Sequence, residues 1–163
     1  MKKIIHILLL IMLIASVGSC AGYKPVFQSS NLNFKISKYK ITGDKSIGNQ
    51  IYYKLNSLSK SFGSKSKNKD NYSFIINVIK DKKADVKNSA GEVLYYKINL
   101  ITNIVINNLD VNEEIFNEHF NLSSSFKVEE QYSETITVEN KLIGDLINKT
   151  YEDFIIKLSA RII

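Results

Sequence analysis

An alternating run of residues in the middle of the chain constrains the fold more than any other feature. Between positions 93 and 107 the sequence reads VLYYKINLITNIVIN. One set of alternate positions is apolar or threonine, and it comprises Leu94, Tyr96, Ile98, Leu100, Thr102, Ile104 and Ile106. The other set carries Tyr95, Lys97, Asn99 and Asn103. Because successive side chains of a β-strand point to opposite faces, the run predicts a long strand in a sheet with one buried face and one face exposed to water.

Two further alternating runs predict neighbouring strands in the same sheet. The run YSFIINVIKD places on one face Tyr72, Phe74, Ile76 and Val78. The run IFNEHFNLSSSFKV places on one face Phe116, Glu118, Phe120 and Leu122. The connections, KNSAGE at 87–92 and LDVNEE at 109–114, contain residues that are typical of turns. Short turns join antiparallel neighbours, so the three runs predict a long meander.

One more strand and two helices complete the predicted order. In FKISKYKITG the alternation slips by one at Ser37–Lys38, which predicts a strand with a bulge. An amphipathic stripe follows, with Asp44 or Ser46 as its N-cap, and it comprises Ile47, Ile51, Leu55, Leu58 and Phe62. A second stripe predicts a terminal helix of about 20 residues and comprises Ile143, Ile147, Tyr151, Phe154 or Ile155, Leu158 and Ile162. The order β-α-β-β-β-α predicts an α+β fold, a two-layer sandwich of a mostly antiparallel sheet with two helices packed on one face.

The start of the chain has the pattern of an export signal. Lys2 and Lys3 precede an apolar run at 4–14, and small residues lead to Cys20. The apolar run is about half as long as a membrane span requires. The tetrad Val17-Gly18-Ser19-Cys20 resembles the bacterial lipoprotein box, in which the cysteine sulfur accepts diacylglycerol.

The tetrad sets the predicted domain boundaries. We predict a signal peptide at 1–19, a lipidated anchor segment at 20–31 and one α+β domain at 32–163. Cys20 is the only cysteine, so an internal disulfide is excluded, and a buried thiol is the alternative to lipidation. Ala21 follows the cysteine, whereas proteins retained at the inner membrane commonly have aspartate there, so we expect the outer membrane.

The residues that enzymes and metal sites need are scarce after the leader. His119 is the only histidine after position 6, and a solvated position in a strand is the ordinary interpretation of it. The acidic pairs Glu113-Glu114 and Glu129-Glu130 consist of adjacent residues, which point to opposite faces of a strand. The formal charge is +6, but arginine occurs only once, which disfavours a nucleic-acid partner. We therefore expect no enzyme, metal or cofactor, although a hydrolase with dispersed carboxylates stays open as an alternative.

The segment after the cysteine resembles the start of the LptE family of lipopolysaccharide-assembly lipoproteins. The resemblance rests on Gly22-Tyr23-Lys24-Pro25-Val26-Phe27 and extends at pattern level to FKISKYKITGD, GEVLYYKINLITNIVI and IIKLSARI. It implies a non-catalytic protein that plugs the β-barrel LptD, helps it to assemble and binds lipopolysaccharide on its way to the cell surface. The alternative is a lipid-anchored scaffold of another outer-membrane assembly machine.

Two groups of residues are candidate contacts under this resemblance. The first group, between the second and third strands, is a candidate for lipid A phosphates and comprises Lys80, Lys82, Lys83 and Lys87. The alternative is a solvated basic turn. The second group is the polar side of the central strand, with Tyr95, Lys97, Asn99 and Asn103, which suits a polar barrel lumen. Its alternative is a face exposed only to water.

Overall fold

The computed structural model describes residues 34–62 and 70–162, and these residues form four strands and two helices. The elements are β1 (Phe34–Gly43), α1 (Lys45–Phe62), β2 (Asp70–Lys87), β3 (Val93–Asn108), β4 (Glu113–Lys127) and α2 (Tyr132–Ile162). The predicted order and the α+β class are confirmed. The signal peptide, the anchor segment and Cys20 lie outside the described residues.

The sheet has the strand order β1-β2-β3-β4. Strands β2, β3 and β4 are antiparallel neighbours, which confirms the meander. Strand β1 pairs with β2 in parallel, because α1 carries the chain back to the end of the sheet where β1 starts. The register between β1 and β2 shifts between Ile36 and Lys38, where the sequence predicts a bulge.

Both helices pack on the same face of the sheet, and the core lies between the two layers. The sheet contributes Phe74, Ile76, Val78, Ile98, Leu100, Ile104, Ile106, Phe116, Phe120 and Phe126. The helices contribute Ile47, Ile51, Leu55, Leu146, Ile147, Phe154, Ile155 and Leu158. Neither described helix is long and apolar enough to cross a bilayer.

A tight connection joins β1 to α1. Gly43 has a φ of 77°, and a Cβ at this position would collide with the carbonyl oxygen of Val78, so only glycine fits. The next residue, Asp44, caps the helix, because its Oδ1 accepts a hydrogen bond from the backbone N–H of Ile47 at 3.1 Å. The structure thus selects Asp44 from the two predicted N-caps.

Helix α2 is longer than the sequence predicts. It has 31 residues and begins at Tyr132. Its first turn contains Thr135, whose Oγ1 accepts a hydrogen bond from the backbone N–H of Glu129 at 2.9 Å. The prediction of about 20 residues was wrong because the β-branched run at 135–138 has low helix propensity, whereas in the fold Thr135 is buried and Val138 packs against the core.

Thr102 gives a test of the core. Its side chain is fully buried, and its Oγ1 has no hydrogen-bond partner among the described residues. A buried hydroxyl without a partner is destabilising, so Thr102→Val is expected to raise the free energy of unfolding by about 1 kcal/mol. Urea denaturation measures the change. Thr137→Val on the exposed side of α2 is the control and is expected to give no gain. A loss of stability in Thr102→Val would mean that the hydroxyl has a partner.

Candidate docking face

The face of the sheet opposite the helices has no described element packed on it, and we call it the open face. Its residues alternate along each strand with the residues of the core. They include the candidates Tyr95, Lys97, Asn99 and Asn103. The open face is therefore a surface of the described chain that is available for contact with a partner.

A row of polar side chains crosses the middle of the open face. The register aligns Thr42 with Asn77, Asn77 with Asn103, and Asn103 with His119. The Thr42 Oγ1 donates a hydrogen bond to the Asn77 Oδ1 at 3.1 Å. The Oδ1 of Asn103 is buried and has no hydrogen-bond partner among the described residues. We call these residues the amide row, and its unpaired acceptor lies near its centre.

Aliphatic side chains lie on both sides of the amide row. Ile75 is opposite Val105, and Ile79 is opposite Ile101. We call these residues the aliphatic quartet. Ile75 is 36% exposed and Ile79 is 51% exposed. The sequence analysis named Tyr95, Lys97, Asn99 and Asn103 on this side of β3, and the structure adds the aliphatic residues Ile101 and Val105.

One end of the open face is basic. A shallow depression of about 360 Å³ lies there, and it is lined by Asp81, Lys83, Lys97, Asn99, Asn121 and Ser123. The Lys83 Nζ lies 2.7 Å from the Asp81 Oδ2. The hydrogen bond to Asp81 and the attraction of its charge raise the pKa of Lys83. The depression offers amide, hydroxyl and ammonium groups that can hydrogen-bond to a polar ligand.

The candidate lysines lie on strand β2 rather than in a turn. The strand continues to Lys87 because it stays paired with β3 that far. Lys82 points to the helix side, where its Nζ lies 2.5 Å from the Glu139 Oε2 and 4.4 Å from the centre of the Tyr96 ring. Lys83 points to the open face.

The structure therefore does not bring the candidate lysines together as one compact patch. The sequence prediction placed Lys80, Lys82, Lys83 and Lys87 on a common loop. Alternation along the strand separates Lys80 and Lys82 from Lys83, and Lys87 follows two register shifts. Binding of phosphates by any of these lysines stays a prediction.

The other titratable residues of the sequence analysis occupy separate places. His119 is exposed on the open face. Glu118 is on the helix side, where it accepts hydrogen bonds from Lys157 at 2.7 Å and from Arg161. The hydrogen bond from Lys157 is the main cause that lowers the pKa of Glu118. Within 34–62 and 70–162, no three histidine, cysteine, aspartate or glutamate residues converge as metal ligands.

The fold is similar to that of solved lipoproteins. No family model matches the chain, and no curated protein matches its sequence. The uncharacterized lipoprotein B from Nitrosomonas europaea superposes with a TM-score of 0.54 at 15% identity, covering 85% of this chain and 91% of that chain. Rare lipoprotein B from Shewanella oneidensis superposes with a TM-score of 0.50 at 11% identity, covering 76% of this chain and 93% of that chain. At such low identities the likeness shows a shared fold.

Proposed function

We propose that the protein is an outer-membrane lipoprotein of the LptE type. In this proposal Cys20 carries the lipid anchor, and the folded domain plugs an LptD-like β-barrel and assists its assembly. It also binds lipopolysaccharide during delivery to the cell surface, and it catalyses no reaction. The open face is the observation that carries the proposal.

The composition of the open face is suited to the interior of a barrel. Interiors of outer-membrane barrels are polar, so a domain inside one needs hydrogen-bonding groups on its surface. Asn77, Asn99, Asn103 and Asn121 supply amides across the strands, and a hydroxyl group is the neighbour of two of them, Thr42 beside Asn77 and Ser123 beside Asn99. A face of this kind can exchange its hydrogen bonds to water for hydrogen bonds to a polar wall.

The likeness to solved lipoproteins supports the anchoring part of the proposal. Both of the proteins compared above are lipoproteins by description. The tetrad that ends at Cys20 is the sequence feature that a lipoprotein requires, and β1 begins at Phe34, so residues 21–33 connect the proposed anchor to the sheet.

A pull-down from membranes tests the partner. Chemical crosslinking of the full chain in its own cells, followed by purification and mass spectrometry, is expected to recover a large outer-membrane β-barrel of the LptD type. Depletion of the protein is expected to lower the amount of assembled barrel and to make the outer membrane permeable. Recovery of a different assembly machine, with a normal barrel level after depletion, would favour the scaffold alternative.

Lys83 and Lys82 form a matched pair for testing the ligand. If ammonium groups of the open face contact phosphates, Lys83→Glu weakens lipopolysaccharide binding severalfold, and more strongly at low salt because screening is weaker. Lys82→Glu instead is expected to lower thermal stability, because Glu139 loses its partner and gains a like charge. Binding is measured with purified lipopolysaccharide at two ionic strengths.

Lys141→Glu on the exposed side of α2 controls for the change of net charge. Equal binding by Lys83→Glu and Lys141→Glu at low salt would remove Lys83 from the ligand site. Lys83 would then be interpreted as a solvated lysine of a basic strand.

A further inference from the structure

We infer that the open face docks through the aliphatic quartet and the amide row, and that it meets a protein wall with an aliphatic centre, hydrogen-bonding groups facing the amide row and an acidic rim. This inference rests on the proposed function where it takes that wall to be the inside of the barrel. The inference goes beyond the proposed function because it places the centre of the contact at the aliphatic quartet, away from the lysine-rich end of the open face.

The aliphatic quartet supplies the centre of such a contact. Its members come from two adjacent strands, and two of them, Ile75 and Ile79, are at least one-third exposed although they lie in the middle of the sheet. Protein interfaces have an apolar, desolvated core surrounded by a polar rim. The depression at the basic end includes none of the quartet in its lining, so the apolar centre and the depression are separate parts of the face.

The amide row indicates what chemistry must cover the quartet. Asn77 and Asn103 lie between the two aliphatic pairs, and the exposed His119 lies beside Asn103 on the next strand. A partner that covers the quartet also covers these polar side chains, and burying them without hydrogen-bond partners is costly. Lipid acyl chains have no hydrogen-bonding groups, whereas a protein wall offers N–H, O–H and C=O groups. The amide row therefore favours a protein over the hydrocarbon of a membrane.

The charges around the quartet indicate an acidic partner. The lysines of the open face are Lys35, Lys38, Lys40, Lys83, Lys97 and Lys127, whereas its carboxylates are Asp81, Asp85 and Glu114. Asp81 pairs with Lys83, and Asp85 accepts a hydrogen bond from Ser125. The excess of positive charge complements a wall with aspartate and glutamate at its rim. Two copies of this chain would place like charges against each other, so a second copy is disfavoured.

Ile79 and Ile156 form a matched pair of positions for the experiment. Both are isoleucines, 51% and 57% exposed, but Ile79 is in the quartet and Ile156 is on α2 in the other layer. A photo-crosslinking residue is introduced at 79 or at 156 in the full chain, in its own membranes, and the adducts are mapped by mass spectrometry. Position 79 is expected to crosslink to one protein at a segment with aliphatic and acidic residues, about tenfold more than position 156.

Substitutions at the same positions give an independent measurement. Ile79→Asp is expected to reduce copurification of the partner at least about tenfold, because an aspartate would be buried without a partner charge against the aliphatic centre of the wall. Ile156→Asp is expected to leave copurification unchanged. Circular dichroism and the melting temperature show whether either variant is folded. If Ile79→Asp does not fold, the photo-crosslink at position 79 tests the inference instead.

The outcomes separate this inference from the proposed function. If the wild type recovers the barrel but both variants retain it and position 79 gives no adduct with it, the inference fails and the proposed function stands. If position 79 crosslinks to an acidic segment of a protein other than a barrel, the inference stands and the proposed function fails. Adducts at 79 with lipid, with a second copy, or with residues 1–33 of the same chain would overturn the inference.

Discussion

Phe154→Ala is expected to lower the free energy of unfolding by about 3–5 kcal/mol, which is the usual cost of removing a buried aromatic ring. Phe154 is fully buried, and its ring meets the ring of Phe116 edge-on, with the ring centres 5.1 Å apart and the planes at 70°. The pair joins α2 to β4, so its loss leaves a cavity between the two layers. Urea denaturation measures the change as a lower midpoint at an unchanged slope.

Ile156→Ala is the matched control for this prediction. Ile156 is on the same helix two residues later, but it is 57% exposed. Exposed substitutions change stability by no more than about 0.5 kcal/mol in most cases. If Phe154→Ala cost no more than Ile156→Ala, α2 could not pack on β4 as the structure describes.

The sequence predicts the elements of this fold where local pattern decides the structure. The bulge of β1 follows from a slip in alternation at Ser37–Lys38, and the N-cap of α1 is Asp44, one of the two candidates that the sequence places before the helical stripe. Both features depend on neighbouring residues alone. Alternation is also a local pattern, so the sequence predicts the three strands of the meander.

The sequence fails where a distant contact decides the structure. The parallel pairing of β1 with β2 depends on how α1 packs, which no local pattern encodes. The first turns of α2 contain β-branched residues that prefer strands. Their helical conformation depends on packing in the folded domain, where Thr135 is buried. The end of β2 is mostly polar on both faces, so it shows no regular alternation of apolar and polar residues, and its lysines alone predict a turn.

The sequence predicts only part of the candidate site, because the rest depends on contacts between strands. Tyr95 and Lys97 lie on the open face as expected, because alternation fixes their side of the strand. The aliphatic quartet was missed, although the out-of-phase residues Ile101 and Val105 were visible in the run. Aliphatic residues on the polar side of an amphipathic strand were the sequence signal that could have predicted the quartet. Its pairing with Ile75 and Ile79 required the register between β2 and β3.

Cys20→Ser is expected to abolish lipidation and to leave the precursor uncleaved. Cys20 lies outside the described residues, so this prediction depends on the tetrad Val17-Gly18-Ser19-Cys20 alone. Transfer of a diacylglycerol needs a sulfur nucleophile, and a serine hydroxyl is a much weaker one at neutral pH. The intact mass of the wild-type protein should show the loss of residues 1–19 and the gain of acyl chains. An unmodified cysteine in the mature wild type would contradict the lipoprotein assignment.

Ser19→Ala separates the role of the thiol from that of the cleavage site. It keeps a small residue before the cysteine, so processing and acylation are expected to continue. Each CH₂ of an anchored chain contributes about 0.8 kcal/mol to membrane binding, and several chains on one cysteine hold the protein at the membrane permanently. A tether also raises the local concentration of the open face at a membrane-embedded partner. If the proposed barrel is the partner, its copurification should therefore persist in Ser19→Ala and fall steeply in Cys20→Ser, since both substitutions lie outside the predicted domain at 32–163.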